Sequence, residues 1–168
     1  MKYFYDTEFI EDGRTIQLVS LGVVAEDGRE FYTISSEFDA SAANAWVREN
    51  VLQQLPSRSI ITHEANLYIP NEEIAAKLRE FIGEDKDIEL WGYMCAFDHV
   101  ILSQLFKGFD NWPQGWPYFS HDVAQLCDVV GRSELPNTNP HVHHALSDAR
   151  WNKAAYEFQV TMASTRRW

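Results

Sequence analysis

Two cysteines, Cys95 and Cys127, are all that this chain of 168 residues contains, too few and too far apart for a disulfide framework or a paired CxxC zinc site. Reduced thiols and a cytoplasmic location are the expectation. Long apolar runs are missing as well: no stretch reaches the roughly 18 residues of a membrane-spanning helix, and Met1-Lys2-Tyr3-Phe4-Tyr5-Asp6 places an acid where a secretory signal needs its apolar core. Membrane insertion and secretion are therefore disfavoured. Positive charge is scarce: 14 Lys and Arg stand against 25 Asp and Glu, a formal net charge of −11. A nonspecific nucleic-acid binder normally carries excess cations to neutralise phosphates, so charge alone argues against one. The exclusion has one exception, a protein whose carboxylates are metal ligands, because bound divalent cations invert the local charge.

What is present suits one soluble domain over residues 1–168. Apolar residues make up 45% and charged residues 23%, which excludes disordered and low-complexity classes. The aromatic and β-branched residues from Lys2 to Phe9 predict a strand, Asp12-Gly13 a turn, Thr15 to Ala25 a long strand, Asp27-Gly28 a second turn and Glu30 to Ile34 a third strand. The period then lengthens to about 3.6 residues. Helices are expected over Ala42 to Leu55, after an Asn71 N-cap through the apolar face Ile74, Ala75, Leu78, Phe81 and Ile82 to a stop at Gly83, and over Ala96 to Phe106. Further helices are expected over Asp122 to Val130 and Ala145 to about Met162, with short strands at Ile88 to Gly92 and Tyr118-Phe119. Three antiparallel strands followed by alternating helix and strand define a mixed α/β sheet with helices packed on it.

The chemistry-bearing residues are few. Asp6 and Glu8, two apart on the first strand, project from the same face beside Phe4 and repel one another unless a cation lies between them. Taken alone, the pair also fits a solvated strand face. Asp98 opens a helix that follows a strand, where α/β sheets place their sites, although a helix start uses Asp for the dipole too. His143 stands at the entry to the last helix and Asp148 one turn inside it. Together, four carboxylates from three distant segments make a hard oxygen-rich site suited to Mg²⁺ or Mn²⁺. Two such ions are a known clamp for in-line displacement at phosphorus, and His143 has the pKa class of a general base for the attacking water. The run His141, His143 and His144 also admits a zinc-binding interaction protein, but without a Cys pair or His-Glu-x-x-His it is a weak zinc pattern. The aromatic segment Phe109 to Pro117 either stacks unpaired bases or, the favoured reading, covers a core edge or a partner. Thr165-Arg166-Arg167-Trp168 is basic and reads as a frayed tail, or as a contact to an RNA backbone.

Asp6-Thr7-Glu8, Phe97-Asp98 and His143-His144-Ala145-Leu146-Ser147-Asp148-Ala149 resemble, in order and spacing, the three motifs of the DEDDh 3′-to-5′ exonucleases, whose fold is ribonuclease H-like. The stretch Tyr3 to Thr15 resembles more narrowly the actinobacterial polyadenylate-specific exoribonucleases, relatives of ribonuclease T and oligoribonuclease. The resemblance implies a substrate of RNA with a free single-stranded 3′ end, two Mg²⁺ ions with Mn²⁺ able to substitute, and a homodimer. It implies that Asp6 bridges both ions, that Glu8 and Asp148 hold the ion bearing the water, that Asp98 anchors the second, and that His143 is the base. It further implies that Glu8 touches the terminal ribose while Phe9 and Ile10 wedge against the last base; for these two, packing as core residues is an equal reading. Many relatives carry Thr-Gly after the first motif and Asn four residues before the second-motif Asp, where this chain has Phe9-Ile10 and Met94. These departures bear on recognition of the terminal nucleotide and leave the carboxylates untouched. The function expected is a metal-dependent 3′-to-5′ exoribonuclease releasing 5′-nucleotides, with poly(A) a candidate substrate. The alternatives are a DNA or short-oligonucleotide exonuclease with the same site, or a catalytically silent nucleic-acid-binding module.

Overall fold

The computed structural model describes residues 1–57, 67–131, 135–136 and 142–165. Strands β1 (Lys2–Glu11), β2 (Ile16–Ala25) and β3 (Glu30–Ser35) form the expected antiparallel meander. β5 (Glu89–Gly92) pairs parallel to β1, and β6 (His121–Asp122) parallel to β5. β4 (Tyr68–Ile69), not foreseen from sequence, pairs parallel to β3. The sheet order is β4-β3-β2-β1-β5-β6, so β1, which carries Asp6 and Glu8, lies inside the sheet. Helices α1 (Ala45–Asn50), α2 (Asn71–Ile82), α3 (Ala96–Leu105), α4 (Val123–Val129) and α5 (Ala145–Thr165) cover its two faces.

Alternation along β1 assigns those faces. Tyr3 and Tyr5 point into a core with Leu21, Ile74, Leu78 and Ile101, under α2 and α3. Phe4 points the other way, against Trp91, Val123 and Ala155, under α4 and α5. Ile10, on the same face, packs with Val19, Val47 and Val51 beneath α1. Asp6 and Glu8 therefore occupy the interval between two apolar clusters.

Helix α5 is seated over that face by a missing side chain. Gly22 pairs with Asp6 across β1 and β2, and a Cβ there would fall 2.3 Å from the backbone nitrogen of Leu146. Only glycine lets the first turn of α5 descend this far, which carries Asp148 down to Asp6. Farther along, Asn152 Nδ2 donates to the Tyr5 carbonyl at 2.9 Å, and Arg150 grips Glu30 of β3 with two bonds of 2.7 and 2.6 Å.

Three expected elements differ. The helix expected over Ala42 to Leu55 breaks into a 3₁₀ turn at Ala40–Ala42, the six-residue α1 and a second 3₁₀ turn at Leu52–Gln54. Asn44 causes the late start: it adopts extended backbone and its side chain accepts from Val47 N at 2.8 Å, a cap at that point. Asn71 is the first residue of α2, not its cap; Pro70, with extended backbone and no donor, precedes it. Tyr118 and Phe119 are exposed and form no strand. The pairing moves to His121–Asp122, where His121 stacks on Trp91 at 4.5 Å and the Asp122 carboxylate accepts from Met94 N, Cys95 N and Ala124 N. The aromatic segment takes its core-covering reading: Trp112 and Trp116 are buried against Phe106. His141 and Arg166 to Trp168 lie outside the described residues.

Candidate active site

A cleft of about 620 Å³ opens between α1, the β5–α3 turn and the start of α5, a volume in the range of small-ligand sites. Its floor is acidic. One oxygen each from Asp6, Glu8 and Asp148 lies within 4.8 Å of the others. Glu8 is buried, and Asp6 and Glu8 accept no hydrogen bond among the described residues. Burial, and then the neighbouring Asp98, Glu8 and Asp148, push the Asp6 carboxyl well above the ordinary range. Burial, followed by Asp148 and Asp98, pushes Glu8 up to about 8. Such groups are held together at a cost that a divalent cation removes, and hard carboxylate oxygens are its natural ligands. The residues fit a metal centre.

Asp98 and Asp148 are held by hydrogen bonds from the main chain and from Thr7. Asp98, buried in the first turn of α3, accepts through Oδ1 from Thr7 N at 2.8 Å and Thr7 Oγ1 at 2.6 Å. Burial raises its pKa and the two Thr7 bonds oppose that rise. Strand alternation explains the contact: Thr7, between the two acids, faces the other way and meets the helix that brings Asp98. Asp148 Oδ2 accepts from His143 N at 2.8 Å. His143 itself has φ of 68°, a left-handed conformation uncommon outside glycine. Its imidazole is at the rim of the cleft, 4.7 Å edge-on from the indole of Trp46.

Above the acids the walls are apolar. Phe9 lines the cleft with its ring 5.7 Å from that of Phe97, and Phe97 is 51% and Met94 70% exposed. Met94 also lines the cleft and presents a thioether to it. Ile10 is a correction. It is 2% exposed and buried beneath α1, because it falls on the face where Val47 and Val51 close the sheet, and it does not line the cleft. The cleft thus gathers Asp6, Glu8, Asp98, Asp148, His143 and Phe9, and leaves Ile10 in the core.

Thr7 and Trp46 went unread in the sequence. Thr7 had a usable signal, a hydroxyl between two acids on a strand; Trp46 had none beyond its place in an amphipathic stretch. Zinc gains no support: among the described residues the gathered ligand set contains neither His nor Cys, both thiols are buried, and His144 stacks on Tyr32 at 4.6 Å.

Comparison with known proteins gives the family and the fold. The model of the 3′-5′ exoribonuclease Rv2179c-like domain matches residues 1–160. The chain is 45% identical over 152 residues to the 3′-5′ exoribonuclease Rv2179c of Mycobacterium tuberculosis (strain ATCC 25618 / H37Rv), an alignment covering 89% of this chain and 88% of that protein. In structure it is similar to the zinc-bound E. coli ExoI complex with single-stranded DNA, with a TM-score of 0.66 and 12% identity over 98% of this chain and 41% of that one. It is similar also to S. pombe Pop2p in its Mg²⁺- and Mn²⁺-bound form, with a TM-score of 0.55 and 10% identity over 98% of this chain and 86% of that one. The chain spans about two fifths of the ExoI length. These neighbours share its ribonuclease H-like fold and hold divalent ions.

Proposed function

The chain belongs to the 3′-5′ exoribonuclease Rv2179c-like family, and from that premise we propose that it is a metal-dependent enzyme that shortens single-stranded RNA from its 3′ end and releases 5′-nucleotides. The observation that carries the reading is the set of three carboxylates within 4.8 Å at the floor of an apolar-walled cleft. Asp6, Glu8 and Asp148, with Asp98 beside them, would hold two divalent cations, Mg²⁺ or Mn²⁺. Bound there, such ions supply an activated water and neutralise the leaving oxygen.

The chain's own residues do the rest. His143, at the cleft, accepts the proton of the attacking water on its imidazole as a general base. Thr7 aims Asp98 through Oδ1, and the His143 main chain aims Asp148 through Oδ2. Glu8 lies deep enough to meet the terminal ribose. With Met94 beside them in the cleft, Phe9 and Phe97 receive the last bases by stacking, which tolerates any base and favours the larger purine faces; poly(A) is the purine substrate that the family resemblance suggests. Held by Asp6, Glu8, Asp98 and Asp148, divalent cations would offset the repulsion that an acidic chain exerts on a phosphodiester. We read the protein further as one domain over 1–168 from its length, as cytoplasmic from its two widely spaced cysteines, and as a homodimer on the strength of the family resemblance. No described helix is long and apolar enough to cross a membrane.

The test compares 5′-labelled single-stranded oligoadenylate RNA and DNA with Mg²⁺ or EDTA, using the native protein and His143→Ala. The expected result is a ladder shortening from the 3′ end of RNA, lost in EDTA and slowed to a low but measurable residual rate in the variant. Equal digestion of DNA would widen the activity to a general exonuclease, and digestion of neither would leave a binding module.

A further inference from the structure

The general base poses a problem of orientation. His143 adopts a backbone conformation that a β-carbon disfavours, so its surroundings must hold it there. Two contacts secure its main chain: His143 N donates to Asp148 Oδ2 at 2.8 Å, and the Val142 carbonyl accepts from Gln54 Nε2 at 3.0 Å. Neither restrains the imidazole, which turns about its own side-chain bonds. Among the described residues one aromatic ring packs on it, the indole of Trp46, at 4.7 Å and 79°.

Trp46 is well supported for that task. It lies in the first turn of α1, whose start is pinned by the Asn44 cap. The neighbouring Val47 and Val51 are buried with Ile10 and Val19, so the short helix is anchored to the sheet beneath the cleft. Yet Trp46 itself is 52% exposed. A large apolar ring left half in water on a helix whose buried residue is Val47 contributes little to the core, and an edge-to-face aromatic pair accounts for its placement.

We propose that Trp46 is a positioning residue that acts through His143, fixing the imidazole over the carboxylates for proton transfer without reading the RNA. This rests on His143 being the base. The segment from Asn44 to Gln54 then becomes a cradle for the catalytic loop, gripping its main chain through Gln54 and its side chain through Trp46.

The test measures kcat, KM and the Mg²⁺ concentration for half-maximal rate on 5′-labelled oligoadenylate. It uses Trp46→Ala and Trp46→Phe, each alone and combined with His143→Ala. Trp46→Ala is expected to lower kcat by about tenfold or more, with KM and Mg²⁺ requirement unchanged. Trp46→Phe restores most of the rate, and the loss disappears in the His143→Ala background. Nuclear magnetic resonance of the folded variant should show the His143 ring signals displaced as the indole ring current is lost. A raised KM with unchanged kcat would overturn the proposal in favour of a base-stacking platform. An equal loss in the His143→Ala background would overturn it, as would a Trp46→Ala protein indistinguishable from the native one. If His143→Ala is slowed while Trp46→Ala is normal, this inference alone falls; a fully active His143→Ala removes the general-base reading and the inference with it.

Discussion

The two faces of the sheet are built from the same strands and end differently. Beneath α2 and α3 the apolar residues form one cluster that includes Tyr3, Tyr5, Leu21, Leu78 and Ile101. Beneath α4, α5 and α1 they are split into a Phe4 cluster and an Ile10 cluster, and the gap holds Asp6 and Glu8 under the start of α5. One face is organised for stability. The other gives up apolar burial at its centre and gathers like charges there, a concession that proteins make at functional sites.

The difference can be broken most sharply at Asp6. Asp6→Asn removes a central acid, and loss of several kcal/mol of transition-state stabilisation should lower turnover by on the order of 10³-fold. The same change relieves repulsion, so in EDTA the variant should melt a few degrees above the native protein. The opposite face should give the opposite result. Leu78→Ala, in the single cluster of that face, should cost about 2–5 kcal/mol of stability in a denaturant titration and leave turnover per folded molecule unchanged.

A smaller effect is expected at Thr7, where the two faces meet. Thr7→Val deletes the 2.6 Å bond to Asp98, and loss of such a ligand-orienting partner should weaken Mg²⁺ binding about 10- to 100-fold. Thr7→Ser should restore it, as calorimetric titration would show.

The smallest effect is a pH dependence. Asp6 and Glu8 have folded pKa values above those of the unfolded chain, with Glu8 near 8, so in the metal-free protein the folded state binds more protons. Their contribution to stability is then complete below the ordinary carboxylate range and is lost as pH rises toward about 8. Melting temperatures in EDTA should decline over that window by a few degrees, and Mg²⁺ should abolish most of the decline. Parallel curves with and without Mg²⁺ would show that the acidic floor is not where the ion binds.

Much of this contrast was legible in the chain. Period-two alternation placed Asp6 and Glu8 on one face with Phe4, and the meander followed from Asp12-Gly13 and Asp27-Gly28. The positions of Asp98 and Asp148 at helix starts were readable from the strand and helix patterns. What escaped was tertiary. Alternation put Ile10 on the same face as the acids, but only the docking of α1 decides that it is covered and that Phe9, on the other side, reaches the cleft. Nothing local distinguishes Tyr118-Phe119 from His121-Asp122 as a strand; the choice is made by the stacking of His121 on Trp91 and by the donors that Asp122 collects. Gly22 could not be recognised as the seat of α5, since its reason lies more than a hundred residues away. Trp46 is of the same kind, an unremarkable residue until a distant loop brings His143 against it.

The claim that the gap between the two clusters is a cation site is tested most directly by counting bound Mn²⁺ through electron paramagnetic resonance, with adenosine 5′-monophosphate present. Two ions per chain in the native protein, lost in Asp6→Asn and bound more tightly as pH rises and the ligands give up their protons, is the result expected. Equal Mn²⁺ binding by the native protein and Asp6→Asn, or no binding by either, would contradict it.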